Sequence, residues 1–248
     1  MNLAHPASTQ TQYQRIELSY GEDRYVAHLV SLAKPAYDSL KSEQAQWLHP
    51  EELAYVKQLG VSEIRKRSYL LGRVAAKSAL NQYLGLEKLT DFRILPGILM
   101  DPIVYHPMAV PWQVSITHSN TMACSVAFPS KLPMAIDLED HCPKNAKAIQ
   151  SKCTHGEMVM IRELGFSAEQ AWTVLWTAKE ALSKAIRTGL TCPFHLFEVK
   201  AVRRFSEEII TGEFQYFDQY QFRTWLVGRH FLSLIFPVGT QLDLKTSQ

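Results

Sequence analysis

The feature that most constrains the fold is a pattern that occurs twice along the chain. Each time, a stretch with helical periodicity is followed by short stretches typical of strands. In the first pass, residues 51–84 are predicted to be largely helical, with Gly85 as the stop signal. In the second, helices are predicted near residues 156–164 and over residues 168–188. We therefore expect an α+β fold with two similar halves.

Three short strands are predicted between the two helical stretches, over residues 111–117, 122–128 and 132–139. Turn residues separate them, a spacing that is typical of an antiparallel meander. The halves should meet near residues 129–133, which gives an N-terminal half of residues 1–130 and a C-terminal half of residues 131–248.

The overall charge excludes a general affinity for nucleic acid. The 248 residues include 26 Lys and Arg against 24 Asp and Glu, so any phosphate site must be a local cluster. The most basic stretch lies in the first predicted helix and contains Arg65, Lys66, Arg67, Arg73 and Lys77.

Cysteine spacing and targeting signals indicate an ordinary intracellular protein. The four cysteines form no CxxC pair and show no zinc-like spacing with histidine, so we expect reduced thiols and a cytoplasmic location. Residues 1–12 lack the pattern of a signal peptide, and no apolar run is long enough to cross a bilayer, so no membrane association is expected.

Two acids share one face of the predicted strand that contains Met134-Ala-Ile-Asp-Leu-Glu139. Asp137 and Glu139 alternate with apolar residues, so both carboxylates should point to the same side. Hard divalent cations such as magnesium prefer carboxylate oxygens. The alternative is a solvated strand face, which is the commoner meaning of an isolated D-x-E.

The long helix predicted over residues 168–188 adds a third acid. Ser167-x-x-Gln170 resembles a capping box, and an apolar stripe recurs at helical spacing. Trp176, Glu180, Lys184 and Arg187 fall on the opposite side, where a tryptophan indicates a second covered face. Glu180 could ligate a metal while Lys184, one turn away, bonds a phosphate; the alternative is a surface ion pair.

These residues resemble a known family. Trp176-Thr-Ala-Lys-Glu-Ala-Leu-Ser-Lys184 is similar to the WxxKEAxxK signature of 4′-phosphopantetheinyl transferases. Ala135-Ile-Asp-Leu-Glu139 resembles the family's G-[IV]-D-[IV]-E strand, and Val114-Ser-Ile-Thr-His-Ser119 resembles its N-x-S-H-S segment. The length is similar to that of the pseudo-dimeric branch, which activates peptide and polyketide synthetases.

The resemblance implies two α/β halves related by a pseudo-twofold, with an active site at their interface. It implies that Mg²⁺ is held by Asp137, Glu139 and Glu180 and that Lys184 contacts the pyrophosphate of coenzyme A. Glu157 matches a position where the family often has a base or a water-orienting acid; the alternative is an ordinary acid in the first turn of a helix.

The same resemblance implies a site for the 3′-phosphate of coenzyme A. His118 matches the family's histidine at this phosphate, although a lone histidine is more often structural. Arg65, Arg67 and Arg73 match the basic helix that supplies an arginine, with Arg67 as the first choice. Met100-Asp-Pro102 stands where the family has Gly-Lys-Pro, so a lysine that helps to hold coenzyme A is replaced by Asp101.

The expected activity is Mg²⁺-dependent transfer of 4′-phosphopantetheine from coenzyme A to a serine of an apo acyl or peptidyl carrier protein. The expected partners are coenzyme A and that carrier, and the expected oligomeric state is a monomer. Two alternatives are a non-catalytic relative that binds carrier protein or coenzyme A, and a metal-dependent phosphodiesterase that uses the same carboxylates.

Overall fold

The computed structural model describes residues 11–58, 60, 62–141 and 146–245. These residues fall into two compact units. The first extends to Lys131 and includes the chain from Gln241 onwards; the second is Leu132–Thr240. The expectation of α+β architecture with two sheet-and-helix halves is confirmed.

The first unit contains a five-stranded sheet, a long helix and several shorter elements. Its helices are α1 (Tyr37–Ser42), α2 (Gln44–Trp47), α3 (Pro50–Gln58) and α4 (Glu63–Leu84). Its strands are β1 (Thr11–Tyr20), β2 (Asp23–Ala33), β3 (Arg93–Pro96), β4 (Pro102–Tyr105), β5 (Trp112–His118), β6 (Met122–Pro129) and β12 (Thr240–Lys245). The sheet order is β12-β1-β2-β6-β5, and β3 and β4 form a separate hairpin beside β5.

Helix α4 packs its apolar residues against β2, β5 and β6 to form the core of this unit. It ends at Gly85, whose left-handed backbone lets its N–H bond to the carbonyl of Asn81. Gly72 marks the closest approach of α4 to the sheet, because a Cβ there would lie 2.9 Å from Ile116. A larger residue at position 72 would push the helix away from β5.

The second unit has one sheet and the long helix α7 against it. Its helices are α5 (Ala146–Gln150), α6 (His155–Arg162) and α7 (Ala168–Ala185), and its strands are β7 (Ala135–Asp140), β8 (Val199–Arg204), β9 (Ile209–Phe214), β10 (Tyr220–Val227) and β11 (His230–Pro237). The sheet order is β7-β11-β10-β9-β8. The predicted capping box is confirmed, since Ser167 and Gln170 bond each other's backbone N–H at the start of α7.

Both units have the same chain order once β1 and β12 are set aside. A strand leads into short helices and then a long helix, and four further strands follow. In each unit the last of these strands pairs antiparallel with the strand before the helices, β6 with β2 and β11 with β7. The predicted repetition of helix and strand signals therefore corresponds to two units with the same order of elements along the chain, although β3 and β4 form a separate hairpin whereas β8 and β9 belong to the main sheet of the second unit.

A buried ion pair fixes the long helix of the first unit to the segments on either side of it. Lys77 on α4 lies 2.6 Å from Glu52 on α3, and neither side chain is exposed to solvent. Glu52 also accepts hydrogen bonds from the backbone N–H groups of His49 and Ile94. One carboxylate therefore ties α3, α4 and β3 together.

Three predicted features differ from the structure. The predicted three-strand meander is wrong, because β5 and β6 pair with each other while β7 joins the second sheet beside β11. The long helix ends at Ala185 rather than at residue 188, and Arg187 beyond it has a left-handed φ of 57°. Gln241 and the residues that follow group with the first unit, because β12 extends that sheet beside β1.

Cys124, Cys153 and Cys192 are free thiols, and Cys142 lies outside the described residues. Within the described ranges, no helix has the length and apolar character that a bilayer crossing requires.

Candidate active site

Three acids and a lysine come together where β7 faces α7. The pleat of β7 turns Asp137 and Glu139 towards the helix, while Ile136 and Leu138 are buried on the other side. Lys184 Nζ lies 2.7 Å from Asp137 Oδ1 and also donates to the carbonyl of Ile136 at 3.2 Å. The structure thus brings one predicted catalytic cation onto a predicted metal-ligating acid.

The electrostatics of these acids show that they share one environment. Burial, with repulsion from Asp137, raises the pKa of Glu139 from 4.5 to about 7. Burial also raises the pKa of Glu180 to about 7, and the charges of Asp137 and Glu139 add to the effect while Lys184 opposes it. Nearby positive charge is therefore too small to keep the pKa values of Glu139 and Glu180 at their ordinary level.

This donor set suits a hard divalent cation. Three carboxylates whose charges repel one another would be relieved by an ion with a preference for oxygen ligands. In the arrangement seen here, no group of three or more His, Cys, Asp or Glu side chains within the described ranges is placed to hold a metal ion together. Lys184 occupies one side of Asp137 in this arrangement.

Trp176 gives α7 the second covered face that the sequence predicts. Its ring stacks on Phe194 with the centroids 5.1 Å apart and the planes 5° from parallel. Phe194 in turn lies edge-on to the buried ring of Phe197, which belongs to the core. This aromatic stack braces the helix one turn before Glu180.

The carboxylate of Glu157 is buried and hydrogen-bonded to the protein rather than exposed in a groove. Its side chain is fully buried and lies 2.7 Å from Lys179 Nζ. It also accepts hydrogen bonds from the backbone N–H groups of Thr154 and Val199, both at 2.7 Å. Both carboxylate oxygens are engaged, so the geometry favours a structural role over the predicted role of a base.

The match with the first unit strengthens this interpretation. Glu157 binds the residue before α6, the long helix and the first strand after it, as Glu52 does for α3, α4 and β3. Lys179 donates to the carbonyl of Lys152, and Lys77 donates in the same way to that of Trp47. The first unit has the same buried Glu–Lys pair but no counterpart of the three acids has been described there. The pair therefore stabilises the fold rather than the candidate site.

A groove of about 370 Å³ in the first unit contains most of the predicted phosphate ligands. Arg65, Arg73 and His118 line it, with α4 supplying the arginines and the end of β5 supplying the histidine. The remaining wall is largely aromatic and apolar, formed by Tyr55, Ser68, Tyr69, Gly72, Met100, Pro102 and Ile116. Arg67 lines a separate, smaller hollow with His118 and Ser119.

Arg73 has the features of an anion-binding residue. It is 8% exposed, and its guanidinium lies 4.8 Å from the centre of the Tyr69 ring. Its Nε makes no hydrogen bond to any residue that the structure describes. A buried cationic donor at the wall of a groove is suited to hold an anionic ligand.

Sequence reasoning missed the buried lysines and the groove wall. Lys179 lies within the family-like signature, and its counterpart Lys77 occupies the same place on the other long helix, so a comparison of the two halves would have found the pair. No sequence pattern predicts the aromatic wall of the groove, because Tyr55 and Tyr69 come into contact through the packing of α3 on α4.

Comparison with known families finds a match within the second unit. The profile of ACPS, the 4′-phosphopantetheinyl transferase superfamily, matches residues 133–234. This stretch is therefore similar in sequence to the 4′-phosphopantetheinyl transferase superfamily. The matched residues include Asp137, Glu139, Glu180 and Lys184.

Two solved structures of holo-acyl-carrier-protein synthases align with about half of this chain. A holo-(acyl-carrier-protein) synthase from Bacillus anthracis str. Ames, in complex with CoA (3′,5′-ADP), is 18% identical, with a TM-score of 0.37 over 48% of this chain and 97% of that one. Holo-ACP-synthase from Plasmodium yoelii is also 18% identical, with a TM-score of 0.34 over 48% of this chain and 95% of that one. A search of curated proteins found no match.

Proposed function

We propose that the protein transfers 4′-phosphopantetheine from coenzyme A to a serine of an apo acyl or peptidyl carrier protein, with Mg²⁺ as the metal. The observation that carries the proposal is the meeting of Asp137, Glu139, Glu180 and Lys184 within the region matched by the superfamily. The serine hydroxyl oxygen attacks the β-phosphorus of coenzyme A and its proton passes to solvent water, while the bond from that phosphorus to the bridging oxygen breaks and adenosine 3′,5′-bisphosphate leaves.

The three acids would hold the metal. Asp137 and Glu139 share the helix-facing side of β7, and Glu180 comes from α7, so strand and helix fix the ligands independently. A bound magnesium ion supplies positive charge to the pyrophosphate. The raised pKa values of Glu139 and Glu180 support this role, because both groups gain from a nearby cation.

Lys184 would stabilise the charge that develops on the leaving group. Its side chain is 31% exposed, and its ammonium is held at the acids by Asp137 and the carbonyl of Ile136. Since phosphoryl transfer depends on positioning and electrostatics, a cation fixed in this way contributes directly to the transition state. Glu157 would serve the same site indirectly, by holding Lys179 and therefore α7 in place.

The groove of the first unit would bind the 3′-phosphate of coenzyme A. Arg73, Arg65 and His118 provide the donors, with the buried Arg73 first among them. We further propose that the enzyme acts in the cytoplasm, as a monomer of the pseudo-dimeric type; the shared order of elements in the two units supports that type.

The proposal is tested by following the release of adenosine 3′,5′-bisphosphate from coenzyme A by chromatography. Release should require both magnesium and an apo carrier protein, and a carrier whose acceptor serine is changed to alanine should abolish it. Release without any carrier would indicate a phosphodiesterase. Binding of carrier or coenzyme A without release would indicate the non-catalytic alternative.

A further inference from the structure

Three buried hydroxyl groups form a chain of hydrogen bonds between α7 and the sheet of the second unit. Thr224 Oγ1 on β10 lies 2.7 Å from Ser233 Oγ on β11, and Ser233 Oγ lies 2.8 Å from Thr177 Oγ1 on α7. All three residues are 0% exposed. This hydroxyl chain, made of Thr177, Ser233 and Thr224, therefore crosses the layer in which the helix packs on the sheet.

The hydroxyl chain has one direction. The Thr177 hydroxyl lies 3.0 Å from the carbonyl of Thr173 and 3.1 Å from that of Val174, in the preceding turn of α7, and it can only donate to them. Because each hydroxyl has a single proton, Thr177 accepts a bond from Ser233, and Ser233 accepts one from Thr224. All three bonds form only while α7 keeps its place over β11.

The two ends of the chain lie next to the proposed metal ligands. Ser233 is paired across the sheet with Asp137 on β7. Thr177 precedes Glu180 on α7 by three residues, which is slightly less than one turn of helix. The hydroxyl chain therefore relates the position of Glu180 along the helix axis to that of Asp137.

The other contacts between α7 and the sheet are largely apolar. Val174, Ala178 and Leu182 belong to the core of this unit and are 0% exposed. Apolar burial has no preferred direction, so it resists the separation of helix and sheet more than it resists sliding. A hydrogen bond requires a narrow range of distance and angle, so the hydroxyl chain resists sliding as well.

The first unit has no hydroxyl at the equivalent position of its long helix. Counted from the paired lysines Lys77 and Lys179, Ala75 on α4 corresponds to Thr177 on α7. Ala75 is buried and its methyl group cannot bond to a strand. The buried Glu–Lys pair occurs in both units, whereas this hydroxyl occurs in the unit that contains Asp137, Glu139 and Glu180. The difference associates the hydroxyl chain with the site rather than with the fold.

We propose that the hydroxyl chain positions the metal site. It fixes α7 at the height where Glu180 can share a cation with Asp137. Thr177, Ser233 and Thr224 are thus positioning residues, which act through the helix and are not themselves ligands. The proposal rests on the function proposed above, in which the acids hold Mg²⁺.

Binding of Mn²⁺ to the whole protein, read from the EPR signal of the free ion, tests the proposal without any substrate. Mn²⁺ prefers the same oxygen ligands as Mg²⁺. Thr177→Val keeps the shape of the side chain and removes its hydroxyl, and Ser233→Ala removes the central link. Each should weaken Mn²⁺ binding about tenfold, because Glu180 is no longer held level with Asp137.

Two matched variants separate position from stability. Thr173→Val removes an equally buried hydroxyl of the same helix, whose bond of 2.7 Å to the carbonyl of Glu169 stays within α7, so Mn²⁺ binding should remain within about twofold of wild type. Thr177→Ser keeps the hydroxyl and loses a buried methyl group. It should melt about 2–4 °C below wild type and still bind Mn²⁺ within about twofold.

The double variant Thr177→Val/Ser233→Ala tests whether the hydroxyls act as one chain. Changes within a single hydrogen-bond network are not additive. The double variant should therefore weaken Mn²⁺ binding about tenfold, as Ser233→Ala alone does. A loss of about 100-fold, the product of two independent effects, would overturn the proposal.

The outcomes separate this inference from the proposed function. If wild type binds Mn²⁺ and Thr177→Val binds it as tightly, the inference alone is wrong. It is also wrong if Thr177→Ser weakens binding as much as Thr177→Val, because the loss then follows packing and not the hydroxyl. If wild type binds no Mn²⁺, or if Glu180→Gln binds it as tightly as wild type, the proposed metal site fails and the inference fails with it.

Discussion

Lys179 and Glu157 form a buried ion pair of 2.7 Å that joins the long helix of the second unit to the first turn of the helix before it. Lys77 and Glu52 form the equivalent pair in the first unit at 2.6 Å. Each glutamate also binds the backbone of the first strand after its long helix. The pair therefore holds three segments in each unit, and in the second it holds α7, which carries Glu180 and Lys184.

Removing either glutamate's charge should destabilise the protein. Glu157→Gln and Glu52→Gln should each lower the free energy of unfolding by about 3–5 kcal/mol, because a buried lysine loses its partner. Urea unfolding measures this loss. Glu163→Gln, at an exposed position at the end of α6, is the matched control and should change stability little.

Kinetics of the Glu157 variant distinguish structure from catalysis. Under conditions where Glu157→Gln is folded, turnover per folded molecule should remain within about tenfold of wild type, since the carboxylate only positions α7. A general base would instead cost about 100-fold to 10,000-fold in turnover. A variant of full stability and no activity would restore Glu157 as the base.

Glu180→Gln should reduce transfer about 100-fold or more, with partial recovery at high magnesium. A neutral amide oxygen is a poorer ligand for a hard cation than a carboxylate. Initial rates over a magnesium series give the measurement. Glu169→Gln lies on the same helix at an exposed position and should retain wild-type rates; near-normal turnover of Glu180→Gln at low magnesium would exclude Glu180 as a ligand.

Stability of the metal-free protein should depend on pH through the same acids. Folding raises the pKa of Glu139 and Glu180 from 4.5 to about 7, so the folded state binds more protons than the unfolded state between these values. Their contribution to stability is therefore present below pH 4.5 and is lost as the pH rises through 7. Thermal melting in chelator should show Glu180→Gln above wild type at pH 8 and close to it at pH 4; a variant less stable at pH 8 would contradict this.

Arg73→Gln should raise the KM for coenzyme A about tenfold or more and leave the KM for 3′-dephospho-coenzyme A nearly unchanged. The guanidinium is proposed to bond the phosphate that only the first substrate has. Arg67→Gln, on the same helix but outside the main groove, provides the comparison. A larger selective effect at Arg67 would favour the choice made from sequence.

The sequence predicts the second unit better than the first. The helical stripe and capping box of α7, and the alternation of acids in β7, are local patterns, and the structure reproduces both. The predicted meander fails because strand partners depend on long-range pairing: β7 leaves its neighbour in sequence and pairs with β11, almost a hundred residues later.

In the candidate site, too, local features can be predicted from the sequence and features that depend on distant residues cannot. The spacing of Asp137 and Glu139, and of Glu180 and Lys184, indicates which side chains share a face, and local geometry is enough for that. Which arginine lines the groove depends on the rotation of α4 against β5, so Arg67 and Arg73 cannot be ranked from sequence. The burial of Glu157 depends on Val199 and Lys179, both distant along the chain.

The intact mass of an apo carrier protein, before and after incubation with this protein, coenzyme A and magnesium, tests the central claim most directly. The account predicts that the carrier gains the mass of one phosphopantetheine group on its acceptor serine, and that Glu180→Gln and omission of magnesium both suppress the gain. A carrier that binds the protein yet keeps its original mass, across fatty-acid, polyketide and peptide carriers, would contradict it.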